Sequence, residues 1–253
     1  MTVKELYERL SERIPASLSE EWDNDGLMCS ADTSAEVKRA LLTLDVTEEI
    51  VDYAINRSYD LIVSHHPLIF RPVSKISEDN HTARKIIKLI NNEVSVFSFH
   101  TRLDKVKCGV NDTLAALLSL RDVECFGEGN LGRIGNLPRE MEFDEFTEFA
   151  KQKIGSDCLR VANAYNTVNR VALVGGDGKD YVASAIAAGA DTYVSGRLSY
   201  NVMEEAAELG INLVEAGHYH TEAPVLEVLS ELITSIDLGL TVDIANSNMI
   251  EIV

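Results

Sequence analysis

The sequence predicts an α/β protein of two linked domains, each a mostly parallel sheet flanked by helices. Three observations carry this expectation. Apolar periodicity switches repeatedly between helical and strand character. Short continuous apolar runs such as DLIVS suit strands covered on both faces. Glycine and proline density rises in GEGNLGRIGNLPRE, residues 127–140, where the rhythm pauses.

Taken in order, MTVKELYERLSERI reads as an amphipathic helix at about 3–14, EWDNDGLMCS as a loop and RALLTLDV as a strand. Thr47 is the expected N-cap of a helix in TEEIVDYAINRS. DLIVS returns as a buried strand, HTARKIIKLINNE as a helix, VSVFSFH as a strand and GVNDTLAALLSL as a helix. These are βα units. After the pause come helix FDEFTEFAKQKIG, strands CLRVANA and RVALVGG, helix DYVASAIAAG, strand TYVSG, helix SYNVMEEAAELG and strand INLVEAG. TEAPVLEVLSELITSI reads as a helix, and LTVDIANSNMIEIV as a β-rich tail. The expected domains are 1–126 with 225–253, and 127–224.

Composition narrows the function. Among 253 residues, 41 acidic side chains against 23 basic give a formal charge of −18. Such a surface repels nucleic-acid backbones and anionic membranes, and an anionic small-molecule substrate needs a local cationic centre to approach it. A divalent metal supplies one. Cys29, Cys108, Cys125 and Cys158 show neither CxxC spacing nor a dense framework, so reduced thiols are expected, with Cys108 a small buried residue. No apolar run reaches the length of a membrane span and the first residues lack a leader pattern, so a cytoplasmic protein is expected.

Five of the six histidines, His65, His66, His100, His218 and His220, fall at or just past the C-terminal ends of three predicted strands. Ligand sites in open α/β sheets form at those ends. In LIVSHHP, Pro67 interrupts the strand and holds His66 extended, so the adjacent imidazoles can splay toward two ions. A plainer reading leaves one histidine hydrogen-bonded in the core and the other exposed. His100 and Asp104 follow the next strand, and Asp104 reads either as a hard oxygen ligand or as a carboxylate capping a turn. In AGHYHTEAP, His218 and Glu222 are four apart and share a helical face; the alternative reading has Thr221 capping a helix with Glu222 in its first turn. His65, His66, Asp104, His218 and Glu222 together offer three nitrogens and two carboxylates, a set for zinc, iron, manganese or cobalt. Five such ligands exceed one open zinc site and suit two ions sharing a carboxylate. His81 reads as an ordinary surface residue.

The ordered motifs WDNDGL, SHHP, HTRLD with GVND behind it, VGGDG and GHYHTE resemble the Nif-three-like dinuclear metal-centre family, whose members carry the name GTP cyclohydrolase I type 2 homolog. The resemblance covers nearly the whole chain. It implies that His65 and His218 serve one metal, His66 and Asp104 the other, and Glu222 both, in a site between two α/β domains. It also implies a homo-hexamer, a trimer of dimers. Two departures stand out: the loop reads WDNDGLMCS where WDNVGL followed by glycine is usual, and His220 stands where a small residue is common. The length matches the shorter form of the family.

Two functional classes follow. One is a metal-dependent hydrolase acting on a nucleotide or phosphoester, with His100 or His220 moving a proton. The other is a non-enzymatic metal-binding, adaptor or storage protein. Gly175, Gly176 and Gly178 in VALVGGDGKD read as a phosphate cradle or as a tight turn. Trp22 is read as a pocket wall or as an aromatic anchor, and Arg102 as a solvated loop cation able to meet an anion.

Overall fold

In a computed structural model, which describes residues 1–251, Thr2 opens the first helix, α1 (Val3–Arg13). Its hydroxyl accepts from the Glu5 amide, and the Glu5 carboxylate accepts from the Thr2 amide at 2.8 Å. Amides that lack partners inside the helix are thereby satisfied. The chain continues through β1 (Gly26–Cys29), β2 (Arg39–Thr43), α2 (Glu48–Asn56), β3 (Leu61–Ser64), α3 (His81–Asn91), β4 (Ser95–Ser98), α4 (Thr101–Lys105), α5 (Val110–Leu117), β5 (Arg121–Phe126) and β6 (Gly132–Met141). Then follow α6 (Phe143–Ile154), β7 (Arg160–Ala162), β8 (Val168–Asp177), α7 (Val182–Ala187), β9 (Thr192–Arg197), α8 (Tyr200–Glu208), β10 (Asn212–Glu215), α9 (His218–Glu222), α10 (Val225–Ile236) and β11 (Thr241–Ile244). Among the described residues no helix is long and apolar enough to cross a membrane.

Two compact units form. The first comprises Met1–Val106 and Leu226–Met249; the second comprises Lys107–Val225 with Ile250 and Glu251. The first unit holds a five-stranded sheet in the order β1-β4-β3-β2-β11, parallel except for β1. Leu41, Ile62 and Val96 stand side by side in register and pack with Val51, Ala54 and Leu89 of α2 and α3. The next row, Leu42, Val63 and Phe97, is also buried, and Tyr7 of α1 meets the Phe97 ring at 5.2 Å. Burial on both faces is why these strands read as unbroken apolar runs.

The second unit holds a six-stranded sheet in the order β5-β6-β8-β9-β10-β7. Only β8, β9 and β10 are mutually parallel, and the remaining pairs are antiparallel. Leu173, Val194 and Val214 form one lateral row under α5 and α6; Ala172, Tyr193 and Leu213 form the opposite row under α7 and α8. The fold is thus α/β with two helix-flanked sheets, the second more mixed than the sequence suggests.

The same device fixes strand register in both units. Asp60, just before β3, accepts the Lys38 and Arg39 amides on Oδ2 at 2.8 and 2.9 Å, donates its amide to Arg39 O and accepts from the Ser95 amide. Asp191, just before β9, does the same with Asn169, Arg170 and Asn212. Each aspartate therefore ties the starts of three parallel strands together.

Three expectations change. WDNDGLMCS is not all loop, since Gly26–Cys29 pairs antiparallel with β4. The stretch expected to separate the domains contains β6, an interior strand of the second sheet. Its glycine signal arises from packing, because a Cβ at Gly132 would overlap the Phe126 ring. Pro138 lies within the irregular register between Asn136 and Met141, where its missing amide removes no regular ladder bond. Residues 107–126 accordingly belong to the second unit: α5 packs beneath β8, and β5 pairs with β6. Of the predicted β-rich tail, Thr241–Ile244 forms a strand, and residues 252–253 lie outside those described.

Replacing Asp60 or Asp191 by alanine removes the acceptor of two backbone amides. We expect each change to lower stability by about 1–2 kcal/mol, with asparagine, which keeps a carbonyl oxygen, losing less. Denaturant midpoints of the four variants check this.

Candidate metal centre

The carboxyl ends of β3 and β4 carry three imidazoles. Strand-like bonding continues past β3, with the His65 amide on Thr43 O at 3.1 Å and the His66 amide on Leu44 O at 2.9 Å. The Ser64 hydroxyl then donates to His66 O at 2.8 Å and bends the chain ahead of Pro67. The bend brings the two rings to 4.9 Å, and His100 lies 5.4 and 5.7 Å from them. Their ligand nitrogens fall within 4.8 Å of one another.

Hydrogen bonding selects the tautomers. His65 Nδ1 donates to Phe99 O at 2.9 Å, His66 Nδ1 to Asp45 Oδ1 at 2.8 Å, and His100 Nδ1 to Asp23 Oδ1 at 2.8 Å. With all three Nδ1 atoms engaged as donors, the lone pair of each neutral ring resides on Nε2, the arrangement that orients histidine toward a metal. Asp104, on α4, places Oδ1 3.6 Å from His65 Nε2. Asp23 and Asp45 escape the sequence reading. Asp45 had a signal of the histidines' own kind, a polar residue at the end of a predicted strand.

Asp23 is the electrostatic anchor of this cluster. Burial alone would push its carboxyl up, but hydrogen bonds from His100 and from the Thr101 hydroxyl and amide outweigh it and hold the pKa at about 2. Its neighbours are tied down as well: Asp25 accepts from Arg102 Nε at 3.0 Å and Ser19 Oγ at 3.0 Å, and Asn24 donates to Ile69 O. Arg102 is therefore no solvated cation. It is fully buried, donates also to Ile14 O at 3.2 Å and lies 4.5 Å over the Phe99 ring.

In the second unit, Gly217, with φ of 90°, turns the chain from β10 directly into α9, so His218 is the first helical residue and Glu222 the last. His218 Nε2 and Glu222 Oε2 stand 3.2 Å apart. Two donors on one ion at roughly 2.0–2.2 Å are held about 3.0–3.5 Å apart, so this pair matches the spacing of ligands on a shared cation. One glycine of VGGDG makes room for it: a Cβ at Gly176, whose φ is 65°, would overlap Glu222 Oε1. A Cβ at Gly196 would lie 2.5 Å from Thr221 Oγ1 and 2.8 Å from His218 Cα. Thr221 does not cap α9. Its hydroxyl sits within the helix, contacts Gly217 O and His218 O, and accepts the Gly176 amide at 3.0 Å.

His220, two positions from His218, lies on another side of α9 with Nε2 3.7 Å from Asp157 Oδ2. Of the cysteines, Cys108 is exposed rather than buried, and burial pushes the Cys29 thiol up to about 12. The donors gathered here are nitrogen and oxygen, and their number and spacing fit divalent transition metals.

Fold and donors together define a two-sheet α/β protein whose strand ends present histidine and carboxylate groups suited to divalent metal. The chain belongs to the Duf34/NIF3 (NGG1p interacting factor 3) family, which it matches over residues 1–251. It is 35% identical to a GTP cyclohydrolase 1 type 2 homolog of Clostridium perfringens, across 91% of this chain and 90% of that protein. A namesake in Methanocaldococcus jannaschii is 31% identical, across 93% and 96%. Among solved structures, a Bacillus cereus protein related to NIF3 shares the fold with a TM-score of 0.91 at 24% identity, covering 100% and 99%. Reduced HcgD from M. jannaschii aligns with a TM-score of 0.85 at 30% identity, covering 96% and 97%. The resemblance read from the spaced motifs is met.

The depressed pKa of Asp23 has a sign. Its hydrogen bonds contribute stability above the ordinary carboxylate pKa, and that contribution is lost as pH falls from about 4 through 2. We expect Asp23→Asn to cost on the order of 1–2 kcal/mol at neutral pH and to flatten the stability profile in that acid window, as measured by denaturant unfolding at a series of pH values.

Proposed function

We propose that this chain holds two divalent metal ions and acts as a metal-dependent hydrolase on a nucleotide or phosphoester. The proposed ligands are His65, His66, Asp104, His218 and Glu222. The pinned Nδ1 atoms of the three clustered histidines carry this reading, because burying imidazoles with their lone pairs turned toward one another is favourable when cations lie between them. The 3.6 Å between His65 Nε2 and Asp104 Oδ1 favours Asp104 sharing an ion with His65, a closer association than the resemblance assigns.

Divalent ions held by these residues would supply Lewis acidity, stabilising negative charge on phosphoryl oxygens or on a ring nitrogen and lowering the pKa of nearby solvent. His100 is the proton acceptor. Its Nε2 faces the cluster while its Nδ1 is held by Asp23, whose side chain is fully buried, against 46% exposure for the Asp45 partner of His66. A buried carboxylate orients the ring and supports the positive charge formed when Nε2 takes a proton. His220, paired with Asp157, stands apart from that role. His65 and His66 would hold metal through Nε2, and Gly176 leaves room for the Glu222 carboxylate.

Loading with manganese, iron, zinc or cobalt under anaerobic conditions should give two ions per chain by elemental analysis, and a value that stays at one or below with every metal sinks the dinuclear reading. Glu222→Ala and Gly176→Ala should lower occupancy of both sites, and His65→Ala mainly of one. Histidine ligates only when neutral and its ordinary pKa is about 6.5, so occupancy should fall as pH drops from 8 to 5. Turnover of nucleotides or phosphoesters should vanish with the metal.

The family resemblance further supports assembly as a homo-hexamer. Light scattering should give six times the mass of the chain, and a monomer throughout the micromolar range would contradict it.

A further inference from the structure

The segment Trp22–Asp25 poses a problem that metal binding leaves unsolved. Asp23, Asn24 and Asp25 all spend their side chains on fixing the backbone, through His100 and Thr101, Ile69 O, and Arg102 with Ser19 respectively. The residue so firmly presented, Trp22, remains 63% exposed. Beside it Phe70 is 46% exposed. Leaving two large rings in water forfeits the gain of burying them, and holding them rigidly adds an ordering cost.

Their placement shows what they offer. Trp22 and Phe70 meet edge to face at 6.2 Å, and each touches the His100 ring, at 6.2 and 6.1 Å. His100 in turn adjoins His65 and His66. A flat ring laid on this surface therefore sits one imidazole away from His65 and His66, within reach of the proposed metal ligands for its substituent. We propose that Trp22 and Phe70 form a stacking platform for the heteroaromatic ring of the substrate, which narrows the substrate class to nucleotides or similar heterocyclic phosphates.

The proposal rests on the metal reading only for what happens to the attached group. Other occupants suit the surface less well. The rings contact one another and enclose no space between them, unlike a cage for a quaternary ammonium. A protein partner calls for an apolar field wider than two rings, whereas the residues flanking Trp22 are Glu20, Glu21, Asp23 and Asn24. Stacking on a purine needs only one face and tolerates acidic neighbours.

Trp22 is the sole tryptophan, so its emission, excited at the long-wavelength edge of its absorption, reports on this place alone. Metal-loaded protein is titrated with guanosine monophosphate, adenosine monophosphate and ribose 5-phosphate. Both nucleotides should quench saturably and ribose 5-phosphate should not. By calorimetry, Trp22→Ala and Phe70→Ala should each weaken nucleotide binding by about ten-fold, with Trp22→Phe largely restoring it and metal content unchanged throughout. An equal response to ribose 5-phosphate, no quenching, or unchanged affinity in both alanine variants overturns the platform. So does an emission shift on diluting the protein alone, which marks the rings as a contact between two copies. Saturable quenching by nucleotides in protein that binds no metal supports the platform while the metal reading fails.

Discussion

Everything at the candidate centre depends on where parallel strands stop, and that is decided at their other ends. Asp60 and Asp191 each gather the beginnings of three strands with one carboxylate, one amide and one carbonyl. Once the starts are level, the strands run to one edge of the sheet, over four to six residues in all but the ten-residue β8, so whatever ends or follows them is delivered there. In the first unit that delivery consists of Asp45, His65, His66 and His100. In the second it consists of Gly176, Gly196 and His218. A repeated backbone tie thus becomes, a strand's length away, a repeated opportunity for chemistry.

What the sheets deliver must still be made tolerable to bury. Imidazoles in a packed interior need acceptors for their N–H groups, and here the acceptors differ in kind: a backbone carbonyl for His65, a half-exposed carboxylate for His66, and a buried carboxylate for His100. The three rings therefore carry different electrostatic support despite their shared geometry. That graded support is the basis on which the proposed function divides ligation from proton transfer among otherwise similar side chains.

The sequence disclosed whatever depends on near neighbours. Thr47 was readable as an N-cap and does accept the Ile50 amide at 3.2 Å; the histidines at strand ends and the spacing of His218 from Glu222 were equally local. What stayed hidden depends on partners far along the chain. Arg102 looks like a surface cation until Asp25, 77 residues earlier, and Ile14 O, 88 residues earlier, are brought to it. Asp23 reads as one of several loop acids, and its partnership with His100 has no signature in spacing. β6 was obscured because its glycines and proline mimic a linker, although the glycines accommodate close packing and the proline sits in a break of the ladder. The alternative in which Thr221 caps a helix fails because α9 begins four residues earlier than such a cap requires.

The space beneath α9 has a lasting consequence for how this protein can vary. Room for Glu222 and His218 is made by backbone at Gly176 and Gly196, where no side chain exists to be trimmed. Every alternative residue at these two positions therefore encroaches, and none relaxes the fit. Change at these two positions is one-sided as a result: the floor of the site can only be filled in.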